Sequence, residues 1–456
     1  MKHGLVIAAN RLPIHRVEGG GRSGWQISPG GLVTAMAPIL RRRGGHWIGW
    51  NGSVTRAGKS FDIDDLSLSP IGLSRSESLL YYQGFSNSTL WPLYHDAIVI
   101  PELHRTWWRS YKAVNQRFAK RLAQVTKRRG VVWVHDYHLQ LVPGLLRKLR
   151  PDLRIGFFLH IPFPPEELFA WLPWREAILA GLLGANVIGF QTEASSQNFS
   201  RAARRWTAAE GTDRELTFHE QAVRVRPAPI AIDADEFAQL AEDPRVQERA
   251  AEIRASLGNR TLFLGVDRLD YTKGIPHRLR AFEELLRERR LNADDVALVQ
   301  VAVPSREDAP GYAEVRREVE ETVGRINGQF SEPGKVAVHY FRRNLPRDEL
   351  VAYYLAANVM LVTPLRDGMN LVAKEFVACR HDYGGMLVLS EFAGAASELR
   401  RALLVNPRDI DAMKTTMLRA IRMPERERRM RMAILRTQVR RHDVHEWASS
   451  FLEALS

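Results

Sequence analysis

Cysteine is almost missing from this chain: among 456 residues there is one, Cys379. An internal disulfide is excluded, as is any metal centre built from several thiolates, and a reducing compartment is the expected setting. Long apolar runs are missing too. No stretch approaches the roughly 18 residues of a membrane span. The opening MKHGLVIAAN reaches Asn10 too soon for the apolar core of a secretory leader, so a soluble, cytoplasmic protein is expected. Internal repeats at periods of roughly 20–50 residues and low-complexity tracts are also lacking, which removes solenoids and disordered tails. What is present is a composition near the globular average, 45% hydrophobic and 26% charged. The length suits two or three domains of roughly 150 residues.

Charge is one-sided. Lys and Arg number 65 against 52 Asp and Glu, a formal net charge of +13. Such a surplus points either to an anionic partner or to solvated basic faces. The densest cluster, PERERRMRMAILRTQVRRH (424–442), contains Glu, is spaced like one amphipathic helix and lacks the interleaved aromatics of a nucleic-acid platform. A solvated helix face is the better reading there, with no nucleic acid and no membrane as partner.

Short β-branched runs alternate with helix-length amphipathic stretches. One series of candidate strands is LVIAAN (5–10), VVWVHD (131–136), RIGFFLHI (154–161), NVIGF (186–190) and VRVRPAPI (223–230). A second is TLFLGVDR (261–268), VALVQVAV (296–303), KVAVHYF (335–341), VMLVTPL (359–365), MLVLSE (386–391) and ALLVN (402–406). Runs apolar on both faces suit parallel strands covered by helices, such as those expected over 277–291 and 311–326. The alternation predicts an α/β protein with right-handed crossovers. The strand series pauses over 232–260, so two doubly wound halves are expected, 1–235 and 236–456, with a ligand site between them outside the strand carboxyl ends.

The motifs are individually weak. Gly19-Gly20-Gly21-Arg22-Ser23-Gly24 fits G-x-G-x-x-G, but too far from the first strand for a dinucleotide fingerprint. Gly30-Gly31, just before a predicted helix, is the better phosphate candidate, since residues without Cβ let an anion approach free N–H groups. His135, Asp136, His138 and His160 fall near strand ends and read as a polar active-site rim. Their spacing does not suit zinc, and no acidic pair offers Mg²⁺ a site, so neither metal nor cofactor is expected. Arg268 and Lys273 flank the turn in GVDRLDYTKGI, where two cations could stabilise a departing diphosphate. In RDGMNLVAKE, Gly368 and Asn370 open another helix and Glu375 could accept from a pair of hydroxyls. Trp beside small polar groups, in WIGWNG (47–52) and FSNSTLWP (85–92), could stack on sugar rings or simply fill core. Together these features favour a nucleotide-sugar site.

The chain resembles the trehalose-6-phosphate synthases of glycosyltransferase family 20. The likeness runs through NRLP (10–13), PGGL (29–32), WIGWNG, FSNSTLWPLYH (85–95), VHDYHLQLVP (134–143), IGFFLHIPFP (155–164), IGFQTE (188–193), GVDRLDYTKGI (265–275), VAVPSR (301–306), VGRINGQF (323–330), VTPLRDGMNLVAKE (362–375) and LSEFAGAA (389–396). The family implies two Rossmann-like domains facing a cleft (the GT-B class), an N-terminal acceptor domain, a C-terminal donor domain and a last helix that crosses back to the first. It implies transfer of glucose from a nucleotide-glucose, UDP-glucose by preference, to glucose 6-phosphate by front-face substitution, and a homo-oligomer, dimer or tetramer.

Carried onto this sequence, the resemblance gives Arg11, Tyr82 and Arg306 to the acceptor phosphate and Trp50, Trp91 and Asp136 to the acceptor sugar. Gly31 closes over the donor diphosphate, which Arg268 and Lys273 neutralise. His160 and Asp367 meet the donor glucose, the 368–373 backbone (Gly368, Met369, Asn370, Leu371 and Val372 included) approaches its sugar and phosphate, and Glu375 takes the ribose. Asp136, His160, Arg268, Lys273 and Asp367 form the implied catalytic set, and the nucleobase is assigned to backbone near Phe341 and Arg342. Other acceptors, as in glucosylglycerol-phosphate synthases, a non-catalytic sugar-phosphate sensor, and ADP or GDP in place of UDP remain open from sequence.

Overall fold

Stretches apolar on both faces form the centres of two parallel sheets. The structure, a computed structural model, describes residues 3–16, 25–27, 33, 36, 39–40, 44–54, 58–63, 66–306 and 311–455. The chain divides into two compact units, Met1–Ile230 with His445–Ser456, and Ala231–Val444.

The first unit holds β1 (His3–Arg11), β2 (His46–Val54), β3 (Phe61–Ile63), β4 (Leu66–Leu73), β5 (Thr126–His135), β6 (Arg154–Leu159), β7 (Val187–Phe190), β8 (Glu210–Gly211), β9 (Glu215–Phe218) and β10 (Gln221–Pro227). Their order across the sheet is β8-β9-β10-β7-β6-β5-β1-β2-β4-β3. The run from β10 to β4 is parallel, and antiparallel strands occur only at the two edges. Val6, Ile7 and Ala8 at the centre of β1 are wholly buried. A fully buried Val or Ile is worth about 1.5–3 kcal/mol. Helix α1 (Arg105–Val125) turns Trp108, Tyr111, Val114, Phe118 and Leu122 inward at helical spacing, and α2 (Val142–Leu149) follows β5.

The second unit holds β11 (Thr261–Arg268), β12 (Val296–Val303), β13 (Val338–Phe341), β14 (Val359–Val362), β15 (Met386–Ser390) and β16 (Leu403–Val405), all parallel, in the order β13-β12-β11-β14-β15-β16. Between them run α3 (Ile275–Arg287), α4 (Tyr312–Phe330) and α5 (Leu371–Cys379), with α6 (Glu425–Arg441) and α7 (Val444–Ala454) closing the chain. Gly274, at φ 64°, starts α3, and Pro276 occupies its first turn. In each sheet the chain order reverses beside the first strand, between β1 and β5 and between β11 and β14. Such switch points are where doubly wound sheets take ligands.

Among the parallel strands of the first unit's sheet, the two that the apolar runs do not announce are β2 and β4. HWIGWNGSV and LSLSPIGL carry Gly, Ser, Asn and Pro that read as turn, yet Ser69 is fully buried. Its hydroxyl is held by His46 Nε2 at 2.7 Å and by Arg121 Nη2 at 3.0 Å, so the polar atom is satisfied inside the layer. FSNSTLWP is helical, within a π-helical stretch Ser78–Leu90 and the short helix Trp91–Tyr94.

Residues from His445 onward belong to the first unit. Phe451 of α7 stacks on Trp133 of β5 at 4.4 Å between ring centroids and 4° between planes. Trp447 lies 5.1 Å from the same ring and donates from Nε1 to Ala228 O at 2.9 Å. Gly156 and Gly189 make room for the Phe451 ring, since a Cβ on either would come within 2.7 Å of it. Phe451→Ala is therefore expected to cost about 3–5 kcal/mol of first-unit stability, read as a lowered midpoint for that unit in chemical denaturation.

Candidate active site

The candidate residues form two groups, one in each unit. In the first unit they gather at the β1/β5 switch point around a run of rings. The Arg11 guanidinium, at the end of β1, lies 4.7 Å from the Trp50 ring centroid. Trp50 meets Tyr82 edge-on at 5.6 Å, Tyr82 stacks on His138 at 5.8 Å, and His138 adjoins Tyr137 at 3.9 Å. Trp91 stands behind Tyr137 at 5.8 Å and is buried. Sequence reasoning did not single out Tyr137. It treated His138 only as part of a rim, although that ring joins Tyr82 to the residues after β5.

Asp136, directly after β5, has φ 74°, uncommon for a residue with a side chain. Its N–H donates to Phe158 O at 2.8 Å, and Oδ1 accepts the His160 N–H at 3.2 Å. Asp136 Oδ2 lies 3.9 Å from His138 Nδ1. A buried polar layer holds this turn from behind. Tyr111 O–H donates to Tyr137 O at 2.7 Å, Asn115 Nδ2 to His138 O at 3.0 Å, and Tyr81 O–H to Asn10 Oδ1 at 2.8 Å. Strain of this kind persists where surrounding bonds over-determine it and is typical of ligand sites.

His135 is enclosed rather than on a rim. Its Nδ1 shares a hydrogen bond with His160 Nε2 at 3.1 Å. Burial pushes the His160 imidazole down to about 3, and burial together with the neighbouring His160 ring holds His135 well below the ordinary value. Both rings are therefore neutral near pH 7 and pass a hydrogen bond, not a charge, toward the surface.

In the second unit the group sits at the β11/β14 switch point. Lys273 Nζ bonds Asp367 Oδ2 at 2.6 Å, and Asn370 Nδ2 donates to the same oxygen at 3.1 Å. Asn370, at φ 74°, also caps α5 by accepting the Ala373 N–H at 3.3 Å, which fixes the Asp367–Asn370 loop to the helix start. Gly368 O packs against Gly394 so closely that no Cβ fits there, and Met369 is buried. Leu371 and Val372 form the first turn of α5.

Asp270, buried and overlooked in the sequence, draws this group together. Tyr312 O–H donates to Asp270 Oδ2 at 3.1 Å, and Arg306 Nη1 lies 3.5 Å from Oδ2 and donates to Tyr312 Oη at 2.7 Å. Burial alone would raise the Asp270 pKa, but Arg306, Arg268 and Lys273 hold it below its usual value. Arg278 is a second omission. It is fully buried on α3, donating to Asp267 at 2.6 Å, Thr363 Oγ1 at 3.1 Å and Lys273 O at 2.9 Å. An arginine on the apolar stripe Ile275, Leu279, Phe282 was the available signal.

Glu375 stands apart from these contacts. Tyr354 O–H donates to its Oε2 at 2.9 Å, and burial raises its pKa despite that bond. Phe341 ends β13 with its ring 6.0 Å from Tyr353, and Arg342 beside it is exposed. Gly31 lies outside the described residues, as does the Gly19–Gly24 run. Among the described residues no helix is long and apolar enough to cross a membrane.

Comparison with known proteins adds to this geometry. The sequence pattern of glycosyltransferase family 20 matches residues 3–456. A protein of Mycobacterium avium (strain 104), named trehalose-6-phosphate synthase, is 53% identical over 468 residues, covering 99% of this chain and 95% of its own. The crystal structure of an alpha,alpha-trehalose-phosphate synthase (UDP-forming) from Burkholderia vietnamiensis superposes with a TM-score of 0.92 at 36% identity, covering 100% of this chain and 97% of that one. The enzyme of the same description from Burkholderia xenovorans, in complex with glucose-6-phosphate, gives 0.90 at 36% identity with 99% of each chain covered. The fold is accordingly the GT-B class of two Rossmann-like units.

The histidine pair generates a pH prediction. Unfolded, both imidazoles take up protons below about pH 6.5. Folded, His160 does so only near 3. The unfolded chain thus binds more protons across that window, and stability rises with pH through it. The melting temperature should fall from pH 7 to pH 4, less steeply in His135→Asn. Parallel curves for the two proteins would contradict the assignment.

Proposed function

The chain belongs to glycosyltransferase family 20, as an enzyme of the trehalose-phosphate-synthase type, and from that premise we propose that it transfers glucose from UDP-glucose to glucose 6-phosphate, keeping the α configuration and forming α,α-trehalose 6-phosphate. The observation that carries the reading is the gathering of Arg268, Lys273 and Arg306 about the buried carboxylate Asp270. A diphosphate that gains charge as it departs needs fixed cations of this kind. The UDP-forming relatives and the glucose-6-phosphate complex support the choice of partners.

The acceptor phosphate is assigned to Arg11 and Tyr82 of the first unit, the Arg11 guanidinium lying 4.7 Å from the Trp50 ring and offering a planar fork, and to Arg306 of the second unit as a second guanidinium. Asp136 accepts from a sugar hydroxyl, and Trp91 backs the ring chain. The donor is assigned mainly to residues of the second unit, with Gly31 and His160 of the first unit. Arg268 and Lys273 meet the diphosphate, to which Gly31 is also assigned. Asp367 and His160 take glucose hydroxyls, the Gly368–Val372 backbone approaches sugar and phosphate, and Glu375 accepts from the ribose. The nucleobase lies by Phe341 and Arg342.

The acceptor's anomeric hydroxyl attacks donor C1 on the face the diphosphate leaves. As the C1–O bond to phosphate breaks, the departing oxygen takes the hydroxyl proton and the new glycosidic bond forms on that same face. Support for a reaction without an enzyme nucleophile comes from the carboxylates themselves. Asp136 is bonded to the His160 N–H, Asp270 to Tyr312, and Asp367 to Lys273 and Asn370. Retaining glycosidases instead set two carboxyl groups about 5–5.5 Å apart for attack.

Purified chain given UDP-glucose and glucose 6-phosphate is expected to release UDP and the non-reducing disaccharide phosphate, identified by mass and by its α anomeric proton couplings. ADP- and GDP-glucose, supplied in competition, rank the donors. Absence of the product with all three donors overturns the reading. Arg268→Ala should lower kcat on the order of 10²–10³-fold through loss of charge stabilisation.

A further inference from the structure

WIGWNG does more than present Trp50. Regular pairing between β1 and β2 breaks between Ala8 and Arg11, and the Leu12 N–H donates to Trp50 O at 2.8 Å. Residues 11 and 12 thereby cross directly over Gly49, where a Cβ would lie 2.6 Å from Arg11 C and from Leu12 N. Two indoles fix the same place. Trp47 Nε1 donates to Arg11 O at 3.2 Å, and Trp50 Nε1 donates to Ser53 O at 2.8 Å, setting the plane on which the Arg11 guanidinium rests. Gly52 completes the seat. It holds φ 90°, and a Cβ built there would stand 2.5 Å from Arg11 Cζ and 2.6 Å from Nη1.

We propose that Gly52 is a positioning residue for the acceptor phosphate: the space left by its missing Cβ is the slot that keeps the Arg11 fork against Trp50. The inference rests on the assignment of Arg11 made above. Arg11 lies at the strand end as an exposed residue whose guanidinium is partly withdrawn from water, which lowers its pKa, and a side chain at 52 meets only the far end of this flexible side chain, displacing the guanidinium without forcing the core apart. The residue type at 52 therefore controls whether the acceptor's anionic group is recognised, while donor binding is untouched. Any side chain at φ 90° also strains the backbone, and the test must separate that strain from the slot.

The experiment measures KM for glucose 6-phosphate, KM for UDP-glucose and kcat in the full-length enzyme. It compares the parent, Gly52→Ala, Arg11→Ala and the double variant. Gly52→Ala is expected to raise the glucose 6-phosphate KM about 10-fold, the scale of a lost charge-assisted bond, with the UDP-glucose KM within about 2-fold. In the Arg11→Ala background the same substitution should shift the glucose 6-phosphate KM less than about 2-fold. An unchanged KM in Gly52→Ala, or equal shifts in both backgrounds, overturns the proposal. If Gly52→Ala is recovered poorly, melting temperature reads the same contact. Arg11→Ala then restores part of the stability lost at position 52 if the guanidinium fills the slot, and none if only backbone strain is at work, which also overturns it. A parent chain that makes no disaccharide phosphate defeats the functional reading itself, whereas an active Gly52→Ala enzyme with parental KM defeats this inference alone.

Discussion

A carboxylate sealed from water persists as an anion only among fixed positive charges, and Asp270 is such a group. Its surroundings hold its proton affinity down against burial, through Arg306, Arg268 and Lys273, with the Thr272 N–H adding a bond at 2.9 Å. The dependence runs both ways. Without Asp270, three cations would converge on one small region with less to balance them, and the turn after β11 would lose its cap. Without the cations, the carboxylate would take up a proton. On the proposed reading the positive half-site is prepared in advance, and an anion bound there would replace part of an interaction already present, limiting reorganisation as charge develops.

The same economy is absent from the first unit, which carries 30 Lys and Arg against 19 Asp and Glu, whereas the second carries 35 against 33. Most of the chain's surplus is therefore spread over the unit bearing Arg11. A distributed surplus raises the local concentration of anions at long range and is screened by salt. A nearly neutral unit must rely on a few cations held at close range, as around Asp270.

Much of the architecture could be read from hydrophobic runs because parallel strands buried on both faces leave little freedom in composition. Thr261–Arg268 and Val296–Val303 have the bounds that their apolar runs suggest. β2 and β4 could not be read that way. Their Ser and Gly residues are tolerated by partners from distant positions, His46 and Arg121 for Ser69, and Arg11 for the WIGWNG glycines. Candidate site residues could be picked out where cations follow a strand, as at Arg268 and Lys273, whereas Arg11 and Trp50 were named only through the family resemblance. The buried supports were not legible, since Asp270 and Arg278 look in sequence like ordinary loop and helix residues, and His135, read as part of a rim, turned out to be enclosed. Only the fold shows that they touch the side chains in front of them.

The return of His445–Ser456 to the first unit has a bearing on how the polypeptide is made. During synthesis the 231–444 stretch is made before the segment carrying Trp447 and Phe451. The earlier-made portion waits with the Trp133 face and its flanking glycines uncovered until residues 445–456 have been made. The unit translated first is the one finished last, and its apolar face passes through an interval in which chaperone capture or self-association competes with closure.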